Sequence, residues 1–493
     1  MKKRFIGIIL TLCLWTSIAM AGQNLKLASL FASDMVLQQQ TQAAIWGWAK
    51  PNETITIVTS WDNKVVKTGS DTDGKWKTTV KTPDAGGPYT VVVKSSDETI
   101  TLENVLIGEV WICSGQSNMQ WRMKQLASQG TNMYQADIDK ANYPNIRYCL
   151  VRQRIALEPQ EECELAWSIC KPGNVPEFSA VAFFFGMKLH SELNVPIGLI
   201  STNWGGTPAQ AWTSGTTLER EFPEYKATMG KYPEIIKQGK TIFHNWQKEA
   251  KGLGINHHSP SGLYNGMIEP LVPFAIRGAI WYQGESNRAD PMQYRRLFPA
   301  MIKDWRNKWS IGDFPFYYVQ IAPFWYNDTP PSTAYLREAQ MMTLALPNTG
   351  MAVTMDIGNE KNIHPLKKKP VGNRLALWAL AKDYGKDIVF SGPIYQKYKV
   401  EGNKIRLQFD YVGNGLESGD SKELTHFTIA GEDKVFVQAK AVIDGETIVV
   451  SSDKVAKPVA VRFAWGHADM PNLTNKDGLP ASSFRTDDWE IGK

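Results

Sequence analysis

The stretch WICSGQSNMQW, residues 111–121, leaves an apolar run through two serines, a glycine and two amides. Three other apolar runs end in a similar way. Asn203-Trp204-Gly205-Gly206-Thr207 follows 197–202, Gln283-Gly284-Glu285-Ser286-Asn287 follows 276–282, and Asp356, then Asn362-Ile363-His364-Pro365, follows 350–355. These segments supply a hydroxyl, backbone N–H groups beside glycine, side-chain amides and one imidazole. Such a set suits acyl transfer, in which a base activates a hydroxyl and donors hold the oxyanion. A turn serine or a single histidine is ordinarily structural, and the shared position at strand ends is what singles these out. Of seven histidines, His190 lies on an apolar helix, His244 in a polar insertion and His257-His258 in a loop pair outside the strand ends. His426 and His467 fall in the C-terminal part, so only His364 follows a sheet strand. No His-x-x-x-His and no paired Cys-x-x-Cys occurs, and no metal or other cofactor is expected. The Gly-x-Ser-x-Gly elbow is not matched, because Met119 stands at the second glycine.

Ligands of open α/β sheets bind beyond the carboxyl ends of the strands. The elements that would position the segments are legible. Between 105 and 388, apolar strand-like runs alternate with helical stretches at 179–193, 292–309 and 366–383. That alternation predicts an α/β domain with a parallel sheet flanked by helices. Residues 216–260, polar and rich in Lys and Glu, read as a helical insertion. Residues 22–104 are short alternating runs split by turn residues, the pattern of an N-terminal β-sandwich. Residues 389–493 read as a C-terminal β region.

Residues 1–21 begin with Lys2, Lys3 and Arg4, continue through an apolar run from Phe5 to about Leu14, and end in small residues at Ala19 and Ala21. This is the order of a secretory signal peptide cut before Gly22. The apolar run is short for a membrane span, so export to the periplasm or beyond is expected, with no stable membrane anchor. Loss of the segment lowers the formal charge of +5 by three, to +2, and nothing asks for nucleic acid. Export permits disulfides. Cys163–Cys170 is one conceivable pair, whereas Cys113 reads as a buried thiol in a strand. Indole rings stack on sugar faces, but most of the 18 tryptophans are expected in the core.

The segments GQSNMQW, NWGGTPAQAW, LYNGMIEPL, IWYQGESN and IHPLKKKPVGNRLALWAL occur in this order and together resemble the sialate O-acetylesterase family, a branch of the SGNH hydrolases. The likeness runs from about Leu27 to the terminal GLPASSFRTDDW. It implies an SGNH-like catalytic domain with Ser117 as nucleophile and His364 as general base. The oxyanion donors would be the Ser117 N–H, a backbone N–H of Gly205 or Gly206, and the Gln283 amide. Gln116, Asn118, Asn203, Trp204, Glu285 and Asn287 are candidates for substrate binding. One position departs from the family pattern: Lys361 stands three residues before the histidine, where many SGNH enzymes have Asp. Asp356 and Glu360 are the candidate orienting acids; the alternative is a Ser-His dyad steadied by a backbone carbonyl.

The expected protein is a secreted serine esterase that removes O-acetyl groups from carbohydrates, foremost sialic acids, through an acetyl-serine intermediate. An esterase of acetylated xylan or pectin would use the same machinery. A catalytically dead carbohydrate-binding protein would fit the β regions and the tryptophans, but not the intact Ser/Gly/Gln/His set.

Overall fold

The computed structural model describes residues 24–128, 132–329 and 331–490. The signal segment 1–21 lies outside them. The central sheet is built from β1 (Thr99–Gly115), β2 (Tyr143–Leu150), β3 (Trp167–Cys170), β4 (Ile197–Asn203), β5 (Gly278–Tyr282), β6 (Phe316–Val319) and β7 (Thr349–Ala352). Their order across the sheet is β3-β2-β4-β1-β5-β6-β7. Every neighbouring pair is parallel except β3–β2, which is antiparallel at the edge. Strands covered on both faces are continuously apolar, and β4, β5 and β6 are buried at every residue.

The strand β1 changes character along its length. Its first residues alternate between exposed and covered positions, and from Val105 onward all are buried. The early half pairs antiparallel with Gly86–Lys94, and residues 106–108 also pair in parallel with Val36–Gln38. The same strand pairs with β4 from Glu109 to Gly115 and with β5 from Trp111 to Gly115. Beyond it, the remaining N-terminal strands include a three-stranded sheet of Lys26–Leu27, Gln42–Trp48 and Lys75–Lys81.

Two apolar clusters lie against the sheet. Val110 and Ile112 point into one, with Leu297, Phe298 and Trp305; Trp111 and Cys113 point into the other, with Val181, Phe185 and Leu375. The helices involved are α1 (Ser117–Gln120), α2 (Ala180–Leu193), α3 (Pro291–Trp309), α4 (Ser332–Met342) and α5 (Lys368–Lys382). The expected insertion is a string of short helices, among them Gly215–Glu221 and Tyr232–Lys237, with one strand, Ile242–Phe243, paired to Ile155–Ala156.

C-terminal antiparallel strands follow, beginning with Ile394–Glu401 and Lys404–Asp410. They dock on α4 through Arg337, a wholly buried guanidinium that donates to the carbonyls of Ala464 and Gly466. Cys163 and Cys170 are separate buried thiols. Among the described residues no helix is long and apolar enough to cross a membrane.

Candidate active site

Register brings the first three segments together. Gly115 is the sheet partner of both Asn203 on β4 and Tyr282 on β5, so the chain leaves all three strands at one level. Gly115 has φ +137, and a Cβ there would lie 2.2 Å from the Tyr282 carbonyl oxygen, so only glycine fits. The Gln116 N–H then donates to that carbonyl at 2.9 Å, and Ser117 becomes the first residue of α1. No hydrogen bond among the described residues uses the Ser117 N–H, one of the orphan donors of a helix start.

The fourth segment closes over this turn. His364 Nε2 lies 2.9 Å from Ser117 Oγ. The imidazole stacks on Trp121, with centroids 5.1 Å apart and planes at 27°. Its loop is pinned by the Asn362 side chain, which accepts the His364 N–H at 2.9 Å, and by Asn118, whose amide donates to the Ile363 carbonyl at 3.1 Å. Burial, and next the charge of Lys368, push the His364 pKa down to about 4. The ring is therefore neutral at ordinary pH and can accept a proton.

Asp356 does not orient it. Both Asp356 oxygens are held by Arg374 of α5, at 2.7 and 2.6 Å, because a strand-end carboxylate facing a largely buried guanidinium forms a two-pronged pair. Glu360 is exposed, and among the described residues no hydrogen bond or ion pair joins a carboxylate to the His364 ring.

The oxyanion donors also differ from expectation. Gln283 is fully buried, and its amide nitrogen donates to the Thr207 carbonyl at 3.2 Å and to Asn287 Oδ1 at 2.7 Å. Its oxygen accepts from the Tyr294 hydroxyl at 3.1 Å. Both N–H groups are committed, so Gln283 braces the strand-end loops. Gln283→Ala is expected to strip the Thr207 carbonyl of its amide partner, while Asn287 keeps the Ala209 N–H and Tyr294 the residue-283 carbonyl, and to cost about 1–3 kcal/mol of stability. A depressed thermal melt would report this; a normal melt with a large kcat loss would return Gln283 to the oxyanion site.

Gly205 does lie beside the nucleophile: a Cβ there would be 3.3 Å from Ser117 Cβ. Its N–H donates to Gln120 Oε1 at 2.6 Å, so that side chain covers the donor. Gly205→Ala is expected to push on Ser117 and Gln120 and to lower kcat by about 10- to 100-fold, with little change in melting. Gly206 is exposed, at φ +75.

Most of the residues expected to bind substrate are interior braces. Gln116 Oε1 accepts the Ser286 N–H at 3.4 Å. Asn118 Nδ2 donates to Glu285 Oε1 at 2.7 Å. Asn203 Nδ2 turns back to Ser201 Oγ, and Asn287 Oδ1 accepts the Ala209 N–H. Each is buried, where an amide or carboxylate must find a protein partner. Trp204 is different: its half-buried ring stacks on His257, 5.6 Å away at 17°, and His257 also meets Trp246 of the insertion. The His257 loop thus reaches the strand ends that the sequence placed it outside.

Sequence reasoning missed Gln120, Trp121 and Lys368. The first two carried a signal, since residues three and four beyond Ser117 share its face of a helix. Lys368 carried none: it sits in the run Lys367-Lys368-Lys369, which reads as solvated charge, yet it is completely buried.

A serine and a neutral histidine paired at the strand ends of an α/β sheet is an arrangement of ester hydrolases. The family described as carbohydrate esterase, sialic acid-specific acetylesterase matches residues 107–380. The sialate O-acetylesterase of Homo sapiens is 33% identical, over 97% of this chain and 95% of that protein. That of Mus musculus is 31% identical over 90% of each. The crystal structure of a carbohydrate acetylesterase from Xanthomonas citri superposes with a TM-score of 0.83 at 37% identity, covering 94% of this chain and 100% of that one. The chain belongs to the sialic acid-specific acetylesterase family of carbohydrate esterases and is a carboxylic ester hydrolase.

Proposed function

We propose that the protein is an exported O-acetylesterase of sialic acids that works through an acetyl-serine intermediate, on an SGNH-like domain spanning 105–388. The observation that carries this reading is the 2.9 Å hydrogen bond between Ser117 Oγ and His364 Nε2. Ser117 attacks the acetyl carbonyl as His364 takes its proton. The oxyanion forms against the free Ser117 N–H and, once Gln120 turns aside, the Gly205 N–H. One such donor is worth roughly 3 kcal/mol of barrier. As the bond to the sugar oxygen breaks, His364 gives the proton to that oxygen, which leaves as a hydroxyl, and then activates the water that releases acetate. Sialic acid as the substrate is supported by the mammalian relatives, which are named for it. Export is supported by the composition of residues 1–21. The N-terminal strands and the C-terminal β region take the part of supports, since none of these groups lies in them.

The test compares acetate release from O-acetylated sialosides and from acetylated xylan, after activity on p-nitrophenyl acetate has been established. Preference for the sialosides supports the substrate reading, and preference for xylan overturns it without touching the chemistry. Secreted protein beginning at Gly22 supports export; protein beginning at Met1 overturns it.

A further inference from the structure

Among the described residues no acid stands behind the imidazole, yet its loop is held from one side by charged groups that the chemistry above does not use. Lys368, the first residue of α5, is wholly buried, and its Nζ donates to Asn118 Oδ1 at 2.5 Å. That bond fixes which way round the Asn118 amide lies. The amide nitrogen then faces two acceptors, Glu285 Oε1 at 2.7 Å and the Ile363 carbonyl at 3.1 Å. Ile363 immediately precedes His364, and Asn118 immediately follows Ser117. One amide therefore ties the base loop to the nucleophile turn, and the ammonium sets that amide.

We propose that Lys368 is the positioning residue of this site, holding the base loop against the nucleophile turn through Asn118, which is the positional part alone of what a triad carboxylate does. The proposal rests on the reading of Ser117 and His364 as nucleophile and base.

The device has a sign opposite to a triad's. A carboxylate raises the pKa of the imidazole it faces, whereas a nearby ammonium lowers it. Burial and then Lys368 depress His364, and burial depresses Lys368 itself to about 7, against the pull of Glu285. The groups around the imidazole are the Ser117 hydroxyl and the Trp121 ring, Lys368 of α5 and, behind Asn118, Glu285. On its own loop Asp356 is closed on Arg374 and Glu360 is exposed. Glu285 Oε2 is buried with no partner among the described residues, and Lys368 Nζ lies 5.4 Å from the centre of the Tyr282 ring. The charge balance of the pocket thus depends on the lysine.

The experiment measures kcat, KM and the pH profile of kcat/KM on p-nitrophenyl acetate, with thermal melts, for Lys368→Met and Lys368→Gln. Met removes both the charge and the donor; Gln removes the charge and keeps an N–H for Asn118. Lys368→Met is expected to lower kcat by about 10²-fold, the cost of misplacing a reacting group by about an ångström, with KM little changed. Lys368→Gln is expected to lose less. In both, the acid limb of the profile should move to higher pH, and at an unchanged melt that shift reports the lost charge rather than a ring rehydrated by loosened packing. An unchanged limb and kcat in folded Lys368→Met would overturn the proposal, as would a limb moving to lower pH in either variant. If only Lys368→Gln folds, its limb decides. If neither folds, Lys368 holds the fold rather than the site, and the proposal fails. Ser117→Ala, assayed alongside, separates the two ideas: activity retained there sinks the nucleophile reading itself.

Discussion

Ser117→Ala should be almost inactive while melting like the parent. Among the described residues the hydroxyl has one partner, His364, and the side chain is only half-buried at the start of a short helix. Removing it takes little packing and leaves no buried donor orphaned, so the stability change should stay within about 0.5 kcal/mol. The kinetic loss is of another order. In subtilisin, deletion of the nucleophile costs about 10⁶-fold in kcat, the remainder coming from the oxyanion donors and binding. A comparable fall is expected on p-nitrophenyl acetate. A variant retaining a tenth of parental kcat, free of contaminating esterase, would dismiss Ser117 as nucleophile.

The second large effect is expected at His364 and is best read against its neighbours. His364→Ala removes the ring hydrogen-bonded to Ser117 and should lose several orders of magnitude in kcat. Asp356→Asn should behave differently. Asp356 closes on Arg374, whose side chain is largely buried, so weakening that pair exposes a cation to imperfect solvation. Its signature is a lower melting temperature with most of kcat kept. Glu360→Gln, at an exposed residue, should change neither. Were Asp356→Asn to lose as much kcat as His364→Ala at an unchanged melt, the Arg374 pairing would have to break in the working enzyme and a triad would be restored. The parental acid limb is expected at about pH 4, where His364 takes up its proton and ceases to be a base.

The parts of this arrangement that were legible in the sequence are those governed by period and position. Buried strands separated by helices are continuous apolar runs, and the polar residues that end them are conspicuous; Ser117 and His364 stood out for that reason. Pairing choices were not legible. The position of Asp356 in the chain gives no sign that a helical arginine beyond the histidine will reach it first. The amide of Gln283 could face a ligand or a neighbouring loop, and burial beneath Thr207 and Asn287 decides for the loop. Lys368 was hidden because a run of three lysines has no visible inward member; the close packing of α5 on α2 turns one of them in, with Gly372 so near Val181 that a Cβ would meet its carbonyl oxygen at 2.7 Å.

The strand β1 has a further consequence. One unbroken stretch of backbone is laced to Gly86–Lys94 at its start and to β4 and β5 at its end, and Glu109, near its middle, accepts from Gln38, Gln39, Arg277 and Tyr384. Neither sheet can open along β1 without loosening a ribbon that the other still grips. Amide protons on the two halves of β1 should therefore exchange with solvent as one cooperative unit. Cutting the chain near residue 104 would accelerate exchange throughout 109–115, so that strands lending no atom to the reaction still govern how firmly the serine is held.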